Sequence, residues 1–155
     1  MRFMRLLCWF LLAGMLSHQT KVLAQDLKVL VLDALDGKPQ ANVKVEPLCA
    51  GLPRNFPEKT AFTNDKGIAT ISYVCNEKQV IEIEVIPPNR KEQCGADAKT
   101  NFNDAMSVGF ISDPSSATIG GMWCPTKVSK TLKPVPGQIT VFVKKPTWWQ
   151  AHVAG

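Results

Sequence analysis

The stretch that decides the fold is VLVLDALDGKPQANVKVEP, residues 29–47. The chain is apolar on both faces from Leu27 to Leu32, breaks at Asp36-Gly37-Lys38-Pro39, and resumes in strict alternation. Over residues 41–47, Ala41, Val43 and Val45 fall on one side and Asn42, Lys44 and Glu46 on the other. That is the period of a strand with one face buried. Gly and Pro between two such runs mark a turn, because Gly reaches backbone angles closed to other residues and Pro fixes its own φ. The stretch therefore reads as a strand, a turn and a strand, a β-hairpin. Its first strand needs cover on both faces, and the C-terminal tail is the predicted cover.

The same period recurs outward from there. VIEIEVI, residues 80–86, points Ile81, Ile83 and Val85 inward and Glu82 and Glu84 outward. QITVFVK, residues 138–144, does the same with Ile139, Val141 and Val143. Residues 68–75 turn Ala69, Ile71 and Tyr73 inward, and Asn64-Asp65-Lys66-Gly67 joins them to a strand at 59–63. Between Pro87 and Pro136 the pattern weakens to one predicted strand at 106–111, a helical turn near residues 101–105, and the irregular stretch SDPSSATIGGMWCPTK. Short strands punctuated by turns predict an all-β fold. The expected form is one Ig-like or prealbumin-like antiparallel β-sandwich of about seven strands, with a disulfide-tethered irregular insertion.

The first residues carry basic Arg2 and Arg5, an apolar run from Leu6 to Leu16, and small Ala24. This is the order of a secretory signal, and the 11-residue run is short of the roughly 20 residues that span a bilayer. The expected division is a signal peptide at 1–24, a β-sandwich domain at 25–146 and a C-terminal tail at 147–155, with no transmembrane segment in the mature chain. The whole chain has 18 Lys and Arg against 13 Asp and Glu; without Arg2, Arg5 and Lys21 the balance is 15 against 13, or +2. With no basic run carrying interleaved aromatics, nucleic acid is not an expected partner.

Cys8 leaves with the signal, so Cys49, Cys75, Cys94 and Cys124 remain, an even number in a chain bound for a secreted or periplasmic location. Their gaps of 26, 19 and 30 residues do not match zinc-site spacing, and disulfides are the better reading. Three connectivities are open; the local one, Cys49 with Cys75 and Cys94 with Cys124, is favoured. Each bridge would close a loop worth about 3 to 4 kcal/mol in the chain-entropy model.

The residues Val31, Leu32, Asp33, Gly37, Lys38, Pro39, Val43 and Val45, followed by Thr63, Asn64, Asp65 and Gly67, resemble the transthyretin-like, or carboxypeptidase regulatory-like, β-sandwich group. The likeness covers residues 26–86, and within the group the first strand is most similar to that of the hydroxyisourate hydrolases. That branch implies a His before the Val-Leu-Asp and a C-terminal Tyr-Arg-Gly-Ser. Here Leu30 stands before Val31 and the chain ends Ala151-His152-Val153-Ala154-Gly155, so the catalytic set is absent. An immunoglobulin reading of Tyr73-Val74-Cys75 fails because no Trp follows Cys49 at the expected place.

Chemistry has few carriers. His152 is the single histidine past the signal, four residues after Trp148. Asp97, Asp104 and Asp113 read as loop solvation, and no D-x-D-x-D spacing offers a calcium loop. No catalytic residue, metal or cofactor is expected. Trp123, beside Cys124, reads as core packing. Trp148 and Trp149 differ, since neighbours on an extended chain face opposite ways and one of them is left for a partner. With Lys144 and Lys145 they are the candidate binding residues, suited to an anionic partner or glycan. The expected function is an exported, non-catalytic binding or structural module with a protein or glycan partner at the cell envelope, an oligomer being compatible with it. The alternative is a small secreted hydrolase or ligand carrier of the transthyretin-like group. Denaturing, non-reducing mass spectrometry of the mature protein is expected to find no alkylatable thiol; four would exclude the oxidised compartment.

Overall fold

The computed structural model describes residues 26–50, 60–72, 75, 78–89, 91–95, 98–116 and 124–145. Among them are nine strands and a short helix: β1 Asp26–Asp33, β2 Lys44–Cys49, β3 Ala61–Phe62, β4 Ile68–Ser72, β5 Val80–Ile86, β6 Glu92–Gln93, β7 Ala98–Asn101, α1 Phe102–Ser107, β8 Phe110–Ile111 and β9 Gln138–Lys144. One sheet runs β4-β1-β9-β6 with β8 also paired to β9, and the other runs β3-β2-β5-β7. Leu27, Val29, Val31, Ile139 and Val141 from the first sheet and Val45, Ile81, Ile83 and Val85 from the second are buried in one shared cluster. Each such aliphatic side chain withdrawn from water contributes about 1.5 to 3 kcal/mol, which makes this the main stabilising contact. Both disulfides are present in the local pairing, Cys49–Cys75 and Cys94–Cys124, with Cα separations of 5.7 and 5.6 Å.

The alternation is obeyed where it was strict. In β5 the residues at 81, 83 and 85 are buried, and in β4 Ala69 and Ile71 are buried. Several finer expectations are corrected. The sheets are not purely antiparallel, because β1 and β8 both run parallel to β9. The opening stretch is not a hairpin of two paired strands: β1 pairs with β4 and β9, whereas β2 pairs with β3 and β5 in the other sheet. The strand expected at 106–111 shrinks to Phe110–Ile111, since Met106 and Ser107 complete α1, whose N-terminus is capped by the Asn101 side chain accepting from Asn103 N at 2.9 Å. Nine short strands thus stand where about seven were expected.

Among the described residues, cover over the end of β1 comes from elsewhere in the chain, while the C-terminal tail, the predicted cover, lies outside them. Leu32, Ala34, Cys94, Cys124 and Phe142 form a second buried cluster, with Leu30, Ile111, Val128 and Leu132 against it. The Cys94–Cys124 bridge therefore straps the irregular segment across the outer face of the first sheet, as a tethered elaboration should. β9 is consequently buried on both faces, from Ile139 to Val143. Residues 1–24, where the signal is expected, and the tail at 147–155 lie outside the described residues.

The two places where the chain changes sheets are joined by one side chain. After the turn, Leu32 bridges to Pro39, Gln40 N donates to Val31 O at 3.0 Å, and the chain crosses to β2 through Asn42 at φ 57°. It crosses back between β3 and β4. Thr63, 2 % exposed, donates its hydroxyl to Gln40 O at 2.6 Å and accepts from Val43 N at 2.9 Å. Its own backbone exchanges hydrogen bonds with Asn42 N and Val43 O. Gly67 then sits at φ +72° with no room for a Cβ, which would lie 2.7 Å from Val31 O. The Asn64 side chain closes that turn by accepting from Lys66 N and Ile68 N.

Thr63→Val keeps the shape and leaves a buried donor and acceptor unpaired, so it is expected to destabilise by about 1 to 3 kcal/mol. Ser112, 3 % exposed, has a hydroxyl with no hydrogen-bond partner, and Ser112→Ala should leave stability unchanged or raise it. Urea unfolding of the oxidised protein checks both; equal losses would refute the assignment.

Candidate functional site

β1 and β9 run parallel and end together, and the polar side chains gather at that end. Ala34 N donates to Val143 O at 2.9 Å, which sets Leu35, an exposed apolar residue, beside Lys144. The turn itself is held by short-range bonds: Asp33 Oδ1 accepts from Leu35 N at 2.9 Å and Asp36 Oδ1 from Lys38 N at 3.0 Å. Lys91 reaches in from the loop after β5, its Nζ lying 2.8 Å from Asp33 Oδ2 and 2.6 Å from Gln40 Oε1. This pair is largely shielded, with side chains 26 % and 13 % exposed, and fixes the loop to the turn. The second pair, Lys38 with Asp36 at 2.7 Å, lies in solvent.

On the other flank Val128 packs its Cγ1 where a Cβ on Gly37 would be 3.2 Å away, so exposed Lys127 and Lys130 lie on the segment beside the turn. Lys127, Lys130 and Lys145 make no ion pair among the described residues. The result is an end with structural carboxylates in the turn, an exposed Leu35, and lysines without ion pairs among the described residues on the neighbouring segments.

The sequence-predicted residues distribute as follows. Lys145 is exposed and Lys144 half-buried in β9, across from Glu92 of β6. Trp148 and Trp149 lie outside the described residues, as do Trp123, Asp97 and His152. Asp113 is engaged by its own turn, accepting from Ser115 N at 2.9 Å and from Ser115 Oγ at 2.7 Å, and these hydrogen bonds hold its carboxyl below the usual range. Cys49 and Cys75 tie β2 to the chain just past β4, joining the two sheets. Sequence reasoning missed Lys91, Lys127 and Lys130, for which single lysines in an irregular region give no periodic signal. Among the described residues, no group of three His, Cys, Asp or Glu is arranged to hold a metal ion, and no helix is long and apolar enough to cross a membrane.

Comparison with known proteins brings no match: no family model, curated protein or solved structure is significantly similar to the chain.

The Asp36 carboxyl is held below its ordinary value of 3.8, first by the Lys38 side chain and then by the Lys38 backbone N–H. A depressed carboxylate pKa means that the turn's contribution is present above the unfolded value and is lost as pH falls through the folded one. Carbon-detected NMR titration is expected to place the Asp36 midpoint below 3.8, and Lys38→Ala should move it upward. An unmoved midpoint would remove Lys38 as the cause.

Proposed function

We propose that the chain is an exported, non-catalytic binding or structural module of the transthyretin-like type, built as a prealbumin-like β-sandwich, which meets an anionic protein or glycan at the cell envelope through the end where β1 and β9 finish. The observation that carries this reading is the division of labour among polar groups there. Asp33 and Asp36 are engaged with Lys91 and Lys38, while Lys127, Lys130 and Lys145, on segments beside this end, make no ion pair among the described residues, and Leu35 is exposed. Lysines without ion partners, at an end that also carries an exposed apolar residue, suit an anionic surface more than proton transfer, which needs a carboxylate or imidazole left available. The motif residues behind the resemblance support the fold side of the proposal. Val31 and Pro39 close on Gly67 at the two sheet crossings, and Thr63 bonds Gln40, Asn42 and Val43 beside them, so the spacing of these residues has a single structural cause. Two disulfides fit an oxidising compartment.

The test uses the oxidised mature protein with Lys144→Glu/Lys145→Glu and, separately, Trp148→Ala/Trp149→Ala. Cosedimentation with envelope fractions of the source cell should fall at least tenfold in both, with the melting temperature nearly unchanged. A fall in stability of several kcal/mol for the Trp pair, at about 3 to 5 per core Trp, with retention unchanged in the Lys pair, would place the tail in the core and end the binding reading. Turnover of hydroxyisourate abolished by one point mutation would replace the module with an enzyme.

A further inference from the structure

The outer face of the second sheet differs from the rest of the surface. β5 alternates, so Val80, Glu82, Glu84 and Ile86 share its outward side. Register sets their neighbours: Lys44 of β2 lies between Ile86 and Phe62 of β3, Glu46 lies opposite Glu84, and Leu48 lies opposite Glu82, which in turn faces Lys99 of β7. Phe62, Ile86 and Val80 are 62 %, 47 % and 41 % exposed. The face thus has exposed Phe62 and Ile86 on either side of Lys44 at one end, an exposed Val80 at the other, and carboxylates between, over a length of about 20 Å along the strand.

Glu46 and Glu84 are directly opposed like charges, an arrangement that destabilises an isolated sheet. Lys44 answers Glu46, and Lys99 answers Glu82 at 2.9 Å. Among the described residues Glu84 makes neither hydrogen bond nor ion pair through its side chain. An unanswered carboxylate set against a like charge, with exposed Ile86 next on its strand and exposed Phe62 on the far side of Lys44, is a surface with a missing complement. Its needs are specific: a cation at Glu84 and apolar groups on Phe62 and Ile86.

We infer that the outer face of the second sheet is a docking surface for a cationic segment of another protein, one that presents Lys or Arg between apolar side chains. Without the expected signal the formal balance is +2, so a cationic partner is not drawn to the molecule as a whole and must find its attraction locally. The site is separate from the lysine-rich end and calls for the opposite charge.

The probe is a synthetic peptide of about eight residues alternating Lys and Leu, long enough when extended to span the face, with a Glu-for-Lys peptide as control. Titrated into isotope-labelled oxidised protein, the Lys peptide is expected to shift the amides of Lys44, Glu46, Phe62, Glu84 and Ile86, and the control to shift none. Glu84→Lys and Phe62→Ser should each weaken the binding about tenfold, the scale of an interface anchor. Glu84→Gln should weaken it less. Both Glu84 changes should leave the melting temperature unchanged or raised, since they relieve the repulsion with Glu46. The inference is overturned by shifts lying elsewhere, by equal binding of the two peptides, or by undiminished affinity in Glu84→Lys. It is also overturned if peptide-free protein self-associates through this face, or if a neutral maltooligosaccharide shifts the same amides while the Lys peptide does not. Failure here leaves the envelope-retention result untouched, because the two sets of variants share no residue.

Discussion

The structure depends on how the chain gets from one sheet to the other and back. Buried backbone leaving a sheet loses its ladder partners, and an unpaired buried amide or carbonyl costs about as much as a lost hydrogen bond. Thr63 solves this for both crossings with one hydroxyl, which takes the Val43 amide and gives to the Gln40 carbonyl. The two crossings must then lie against each other, and Gly67 permits the approach by presenting no Cβ to Val31 and Pro39. With the crossings fixed, the register of β1 with β4 and of β2 with β3 follows, and the inward faces of both sheets meet in one core. The Cys49–Cys75 bridge repeats the connection between the sheets at a different point.

What was legible in the sequence was whatever one face of water could impose. β5 and β4 alternate because one side is core and the other solvent, and the inward residues of both are the buried ones. β9 also reads as alternating, yet Thr140 and Phe142 on its other face are buried as well. Their cover comes from residues far along the chain, including Leu32, Val128 and the Cys94–Cys124 bridge, and no local period can report that. The two-residue strand β6 was illegible and β8 was legible only as the end of a longer predicted strand, for the same reason. Each is recruited to the free edge of β9, through Cys94 N to Phe142 O and Ser112 N to Thr140 O, and so owes its conformation to β9 rather than to its own residues.

The binding candidates were legible only in part. Lys144 and Lys145 follow from the end of a clear strand, but the company they keep does not. Lys91 arrives beside Asp33 from 58 residues away, and Lys127 and Lys130 arrive through the packing of Val128 on the turn. Phe62 and Ile86 each look unremarkable in sequence, one in a short run after a loop and the other closing an apolar strand. Their meeting across Lys44 is a property of register, which pairing fixes and composition does not.

The two outer faces carry opposite consequences. The outer side of the first sheet is covered around β9 and the end of β1, where Leu32 and Phe142 are committed to a second core and a change there unfolds structure. The outer side of the second sheet carries no such commitment in β5: Glu84 and Ile86 are exposed while Ile83 and Val85, their neighbours in sequence, hold the shared core. Residues on that face can change without altering what keeps the sheets together. A scaffold arranged in this way separates stability from recognition. The first sheet, whose β9 is buried on both faces, gives the molecule a fixed shape, and the second presents a side whose chemistry is set independently of it. An exposed Phe, an exposed Ile and an unanswered carboxylate on that side contribute nothing to the core that would account for them, so their arrangement is more economically explained by what meets the face than by what lies beneath it.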